Sequence, residues 1–288
     1  MVEFYDPVRK EQISYHIDKK LQTRWDKLRG GLLEKQDEDR VYIVDGRERT
    51  GKSVFTLQQA KYLNPEFSVE DVCFTPEEFL NKIRTAPKGS VIVFDEAFRG
   101  LSSKGTQSKV NKKLVQAMME MGQRNLVVFI VLPTFFLLEL YAAVLRSHAL
   151  FHIYKDSKGK RAFRIYNYQK KSLLYRVGKK KGLSYAFPKV IIRGRFFGTY
   201  GIDEQSYRDK KAKSLKDMDD VLFSDDSKSR YQIQRDFLLY HFKKCGVTLI
   251  QLEKVMFGCP ETMSKHQIGV NIRDMAERLS KQASEEKK

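Results

Sequence analysis

The chain has 288 residues, enough for one large domain or two smaller ones, and its 41% hydrophobic and 12% aromatic content belongs to a folded protein rather than a disordered one. Its charge is lopsided: 54 Lys and Arg stand against 36 Asp and Glu, and the resulting +18 points to a polyanionic partner. Three cysteines, Cys73, Cys245 and Cys259, with no Cys-x-x-Cys pair, argue against a disulfide framework or a zinc site and fit a reducing compartment, the cytoplasm.

The first 38 residues are charged, with Ile13, Ile17, Leu21, Trp25 and Leu28 at spacings of three and four. That pattern predicts one amphipathic helix over residues 8–36, stopped near Gly30-Gly31. Residues 39–202 are expected to form the main domain. Within it, strands are predicted at 41–45, 72–74, 90–95, 126–132 and 150–154, and helices at 53–62, 76–85, 111–123 and 135–146. Thr75-Pro76-Glu77-Glu78 supplies an N-cap, a first-turn proline and a capping-box glutamate for the second of these helices. Strands this apolar, alternating with helices, predict a parallel sheet covered on both faces.

Residues 126–145 contain a single charge, Glu139, and are long enough to span a bilayer. Pro133-Thr134 divides them into a β-branched half and a helical half, so a buried strand followed by a buried helix is expected and a membrane span is not.

From Lys155 to Arg195 there are fourteen Lys and Arg and one acid, Asp156, a net +13 interleaved with Phe163, Tyr166, Tyr168, Tyr175 and Tyr185. A basic β extension at 155–202 is predicted, with a hairpin of strands 161–168 and 173–177 turning at Gln169-Lys170-Lys171-Ser172, and a second β run at 189–197. Residues 203–230 read as a charged linker. Helices predicted at 231–244, 248–256 and 264–279 form a small C-terminal domain over 231–288, on the pattern of a helix-turn-helix.

Chemistry enters at Gly46-Arg47-Glu48-Arg49-Thr50-Gly51-Lys52-Ser53, which satisfies G-x-x-x-x-G-K-[ST] between a predicted strand and a predicted helix. In that context the backbone from Gly46 to Val54 would wrap phosphates with inward amides, Lys52 would reach the β- and γ-phosphates, and Ser53 would ligate Mg²⁺. A second element, Ser90-Val91-Ile92-Val93-Phe94-Asp95-Glu96, ends an apolar strand in two carboxylates. Asp95 is suited to the Mg²⁺ shell and Glu96 to deprotonating the attacking water. ATP and Mg²⁺ are therefore the expected cofactors. Arg99, Arg124 and Arg146 are candidate cations for charge developing at the γ-phosphate, Arg124 and Arg146 the favoured pair. His148 and His152, on a predicted strand, would stand about 13 Å apart, too far to share a metal.

Together, this P-loop, Asp95-Glu96-Ala97, a long helix, Gly122-Gln123-Arg124-Asn125 and the strand after it resemble the RecA-type FtsK/HerA superfamily, which includes viral DNA-packaging ATPases and zonula-occludens-toxin-like phage assembly proteins. The resemblance spans about residues 40–155. It implies a homo-oligomeric ring that moves or packages DNA, with an arginine near Arg124 acting at a neighbour's site, in the host cytoplasm or virion if the source is viral. Leu132-Pro133-Thr134 departs from it, because those proteins carry a polar sensor there, typically glutamine. Duplex DNA is expected to bind Lys155 to Arg195 and the C-terminal helices. An ATP-gated assembly or adaptor protein, membrane-associated in one form, is the alternative; a small-molecule kinase fits the basic segment less well.

Overall fold

The computed structural model describes residues 1–29, 38–95, 104–190, 192–223, 230–256 and 263–285. Glu96, Ala97, Arg99, Gly30-Gly31 and Cys259, singled out above, lie outside them. The chain divides into two compact units, Met1–Lys216 and Asp217–Lys288.

The first unit opens with a β-hairpin, β1 (Val2–Asp6) and β2 (Glu11–Tyr15), followed by a short helix, α1 (Lys19–Lys27). This replaces the single amphipathic helix predicted over 8–36. A separation of four residues puts side chains on one face in a strand as well as in a helix, so Ile13 and Ile17 fit either. The turn decides. The Asp6 carboxylate accepts from the Val8 and Arg9 amides at 2.9 and 3.3 Å and closes the hairpin, while Asp18 caps α1 by accepting from the Lys20 amide at 3.0 Å.

The main sheet has seven strands: β3 (Arg40–Asp45), β4 (Val72–Cys73), β5 (Val91–Phe94), β6 (Val127–Leu132), β7 (Ala149–Lys155), β8 (Arg161–Asn167) and β9 (Ile192–Arg195), in the order β4-β5-β6-β3-β7-β8-β9. The first five are mutually parallel; β8 and β9 add on antiparallel. This is a RecA-like α/β core. Successive strand residues feed two separate cores. Tyr42, Val44, Val93, Phe129 and Val131 pack on one face with α1 and α2 (Lys52–Leu63). Val41, Ile43, Ile92, Val128 and Ile130 pack on the other with α3 (Pro76–Thr85) and α4 (Lys104–Glu120). The predicted helix over 135–146 is instead a 3₁₀ turn, Phe135–Leu137, and a π-helical turn, Tyr141–Arg146. Among the described residues no helix is long and apolar enough to cross a membrane.

Two further predictions are corrected. The hairpin in the basic region is β7–β8, turning through Asp156–Lys160, and the segment after it is a helix, α5 (Tyr168–Lys180). Asn167 caps this helix at the Lys170 amide, and Lys171, Leu174, Tyr175 and Gly178 form its buried face at helical spacing. Residues 204–223, read as linker, form α6 (Glu204–Phe223), whose first turn is capped by the Asp203 carboxylate at the Ser206 amide, 2.6 Å. Composition made that stretch look like linker; the cap and one buried tyrosine, Tyr207, make it a helix.

Beyond residue 216 the second unit contains α7 (Arg230–Lys244), α8 (Leu249–Met256) and α9 (Lys265–Glu285) around Leu239, Leu252, Met263 and Ile268. Asp236, buried there, is held by Arg235 and by the Asn271 amide at 3.1 Å.

Candidate active site

At the carboxyl end of β3 the chain turns through Gly46 to Thr50 and enters α2 at Lys52. The loop needs its glycines. Gly46 has φ +145° and a side chain there would lie 2.1 Å from the Ile153 carbonyl oxygen; Gly51 has φ +97° and caps α2 in the left-handed region. Arg49 is left-handed too, at φ 58°. Thr50 is buried and its hydroxyl donates to the Arg47 carbonyl at 2.7 Å, pinning the loop from inside. Arg47, Glu48 and Arg49 point outward and are exposed. The Lys52 ammonium donates to the Gly46 and Arg47 carbonyls at 2.8 and 3.0 Å, so it lies across the mouth of the loop. Ser53 and Val54 open the first turn of α2, the positive end of its dipole.

Asp95 follows β5, and β6 stands between that strand and β3. Two strand spacings amount to about 9–10 Å. The Tyr207 hydroxyl donates to Asp95 Oδ2, and the Ser53 side chain is among the groups near that phenol. Tyr207 is 2% exposed and Asp95 1%. Burial, and then the Asp95 carboxylate, raise the Tyr207 pKa far above its ordinary value, so the phenol keeps its proton at any physiological pH.

The donor set tests the fit of Mg²⁺. Ser53, in the first turn of α2, and Asp95, after β5, are both hard oxygen donors of the kind Mg²⁺ takes. The residues fit the ion.

A second buried cluster borders the P-loop. Asp45, 0% exposed, bonds His152 Nδ1 at 2.8 Å and accepts from the Phe135 amide at 2.8 Å and from the Tyr185 hydroxyl. Tyr185 also meets the Thr134 hydroxyl at 3.0 Å and stacks on the His152 ring, centroids 3.9 Å apart. Thr134 is thereby tied to the residue that precedes Gly46. Burial and Asp45 raise the Tyr185 pKa far above its ordinary value. Arg161 completes the surroundings: its Cδ and Nε lie 3.2 Å from where a Gly51 side chain would begin.

Arg124 and Arg146 are not brought to this loop. Arg146 donates to the Asp39 carboxylate at 2.8 Å and to the Met118 carbonyl at 3.0 Å, and Asp39 precedes β3. Arg124 is exposed and donates to the Ala86 carbonyl at 2.9 Å, ahead of β5. Both stand at the amino ends of strands whose carboxyl ends carry the site, about 20 Å away along a six-residue strand. Either could serve only a neighbouring subunit's nucleotide.

Elsewhere, His148 Nε2 stands 2.9 Å from Arg40 Nη1, and burial lowers its pKa to about 4. Burial pushes the Cys73 thiol up to about 12, which makes it an inert core residue. Among the described residues no group of three or more His, Cys, Asp or Glu could hold a metal.

None of the sequence motifs marks Tyr207, Tyr185 or Arg161 as part of the site. Only Asp203, as a helix cap, offered a local signal, and it marked the helix rather than the tyrosine.

No protein-family model matches the chain, and no curated protein matches it. Among solved structures, the chain is similar to the crystal structure of the N-terminal domain of zonular occludens toxin from Neisseria meningitidis. The two are 14% identical at a TM-score of 0.31, over 59% of this chain and 98% of that one. A likeness of that depth carries no argument about chemistry.

Proposed function

We propose that this chain is a Mg-dependent ATP phosphohydrolase whose turnover moves or packages DNA. The observation that supports it most is the Gly46–Ser53 loop leading from the carboxyl end of β3 into α2, with the buried Asp95 at the carboxyl end of β5 in the same parallel sheet. In this reading the loop amides and the α2 dipole bind the phosphates, and Lys52 leaves its two carbonyls to neutralise the β/γ oxygens. Ser53 and Asp95 would hold Mg²⁺, which would offset the charge growing on the transferred phosphoryl group. Glu96, next after Asp95, is assigned to take the proton of the attacking water. Arg124 is the better candidate for a trans-acting cation, because Arg146 is already committed to Asp39.

Charge supports a DNA partner, but less of it than the sequence suggests. Of the fourteen basic residues from Lys155 to Arg195, Lys171 is buried, Arg164 lies 4.5 Å over the Tyr154 ring and Arg195 pairs with Asp156 at 3.1 Å. Lys155, Lys158, Lys160, Arg176, Lys179, Lys180, Lys181, Lys189 and Arg193 remain exposed.

The test is ATP turnover with and without duplex DNA, in the wild type, Lys52→Ala and Glu96→Gln. Stimulation by DNA, loss of binding and turnover in Lys52→Ala, and retained binding with slow turnover in Glu96→Gln are expected. Turnover in Lys52→Ala equal to wild type would overturn the assignment of the loop. Turnover indifferent to DNA would leave an ATP-gated assembly protein as the better reading.

A further inference from the structure

We infer that Tyr207 is a latch on the metal position: its hydroxyl takes up the Asp95 carboxylate oxygen that Mg²⁺ requires, and α6 must lift for Mg·ATP to bind. The inference rests on the nucleotide site proposed above.

Tyr207 donates to Asp95 Oδ2, the carboxylate assigned to the metal. A hydroxyl bonded to a carboxylate lies within about 3 Å of the oxygen it bonds. Mg²⁺ with its tightly held waters needs that same volume, with its oxygens at about 2.1 Å. Both cannot occupy it.

Nor is the tyrosine a loosely swung side chain. It is buried against Phe74 and Tyr200, with ring centroids at 5.7 and 5.8 Å. One turn further along α6, Lys210 fastens the helix to the sheet edge. It donates to the Val72 and Val69 carbonyls at 2.8 and 3.2 Å and pairs with Glu78 at 3.2 Å. Asp203 caps the turn before it. Opening therefore means freeing the first turns of α6 together. That helix continues to Phe223, past the end of the first unit at residue 216.

The alternative is that Tyr207 positions Asp95 for the ion and assists binding. The two roles predict opposite signs. In the full-length chain, binding of a fluorescent ATP analogue is titrated in EDTA and against rising Mg²⁺, for wild type, Tyr207→Phe and Lys210→Met. A hydrogen bond to a carboxylate is a strong one, so removing the hydroxyl should tighten apparent Mg²⁺ affinity by about tenfold or more while leaving binding in EDTA unchanged. Lys210→Met loosens the helix without touching the site and should shift affinity the same way. Amide exchange in residues 204–210 of the wild type should accelerate when Mg²⁺ and nucleotide are added together. If Mg²⁺ dependence is equal or weaker in Tyr207→Phe while nucleotide still binds in EDTA, the latch is overturned and the P-loop reading stands. If no protein binds nucleotide under either condition, both are overturned.

Discussion

Lys171 is a lysine buried without a carboxylate, and its consequence for stability can be worked out. Its ammonium is enclosed by the Val144 carbonyl at 3.2 Å and the Ser147 carbonyl and hydroxyl. Burial lowers its pKa from 10.5 to about 7. The sign follows directly. Between these values the unfolded chain holds the proton and the folded chain has released it, so stability rises with pH across the window. Below pH 7 both states are protonated and the folded state bears the full penalty. The slope reaches about 1.4 kcal/mol per pH unit, and the shift corresponds to a total on the order of 5 kcal/mol. Lys171→Met retains a flexible apolar stem and removes the titration. Trp25, the only tryptophan, is buried in the sheet core and reports unfolding of the first unit in urea. The stability of Lys171→Met relative to wild type should be greatest at neutral pH and fall steadily toward about pH 10. Buried tyrosines and Cys73 also titrate at high pH, but they are common to both proteins and cancel in the difference. Parallel pH profiles for the two proteins would refute the reasoning.

Other outcomes follow from the same kind of accounting. Arg146→Ala strands the half-buried Asp39 carboxylate and should cost about 3–5 kcal/mol in urea, whereas Arg124→Ala loses one part-buried bond to a backbone carbonyl and should cost about 1 kcal/mol; equal costs would contradict the geometry. Arg124→Ala should abolish ATP turnover and regain part of it when mixed with Lys52→Ala, since each defect affects a different side of a shared site; full activity in a monomer, by sedimentation at assay concentration, would exclude that arrangement. The Asp6–Lys61 pair, 2.7 Å long and almost wholly buried, makes Asp6→Ala worth about 3–5 kcal/mol, and the double change Asp6→Leu with Lys61→Met should recover much of the loss. Replacing Lys179, Lys180 and Lys181 with glutamine should weaken duplex binding irrespective of sequence and flatten the log–log salt dependence by up to about three units; an unchanged slope would assign this charge to something other than DNA.

Much of the core was legible because its determinants are local. The P-loop declares itself through glycines whose positive φ values no other residue tolerates well, next to a strand too apolar to be anything but buried. Alternation along β3, β5 and β6 serves two cores at once, which is why those strands read as continuous apolar runs. The errors fell where a local pattern has two solutions. A four-residue repeat suits strand and helix alike, and at Ile13 and Ile17 the Asp6 turn settled it. At residues 168–180 charge obscured a helical face that only the Asn167 cap and a buried Lys171 make sense of.

The rest belongs to tertiary structure alone. Asp95 and Tyr207 are 112 residues apart, Asp45 and Tyr185 140, and nothing in either sequence neighbourhood encodes the other partner. The order of the strands, which puts β6 between the P-loop strand and the Asp95 strand, likewise emerges only when the sheet assembles. So does the placement of Arg124 and Arg146 at the opposite end of the sheet from Lys52. Sequence determined which groups have the chemistry for phosphate and Mg²⁺, because hydrogen-bonding capacity and charge belong to individual residues. Folding decided which of them meet, because proximity across a sheet depends on strand order and register, and these are properties of the whole chain.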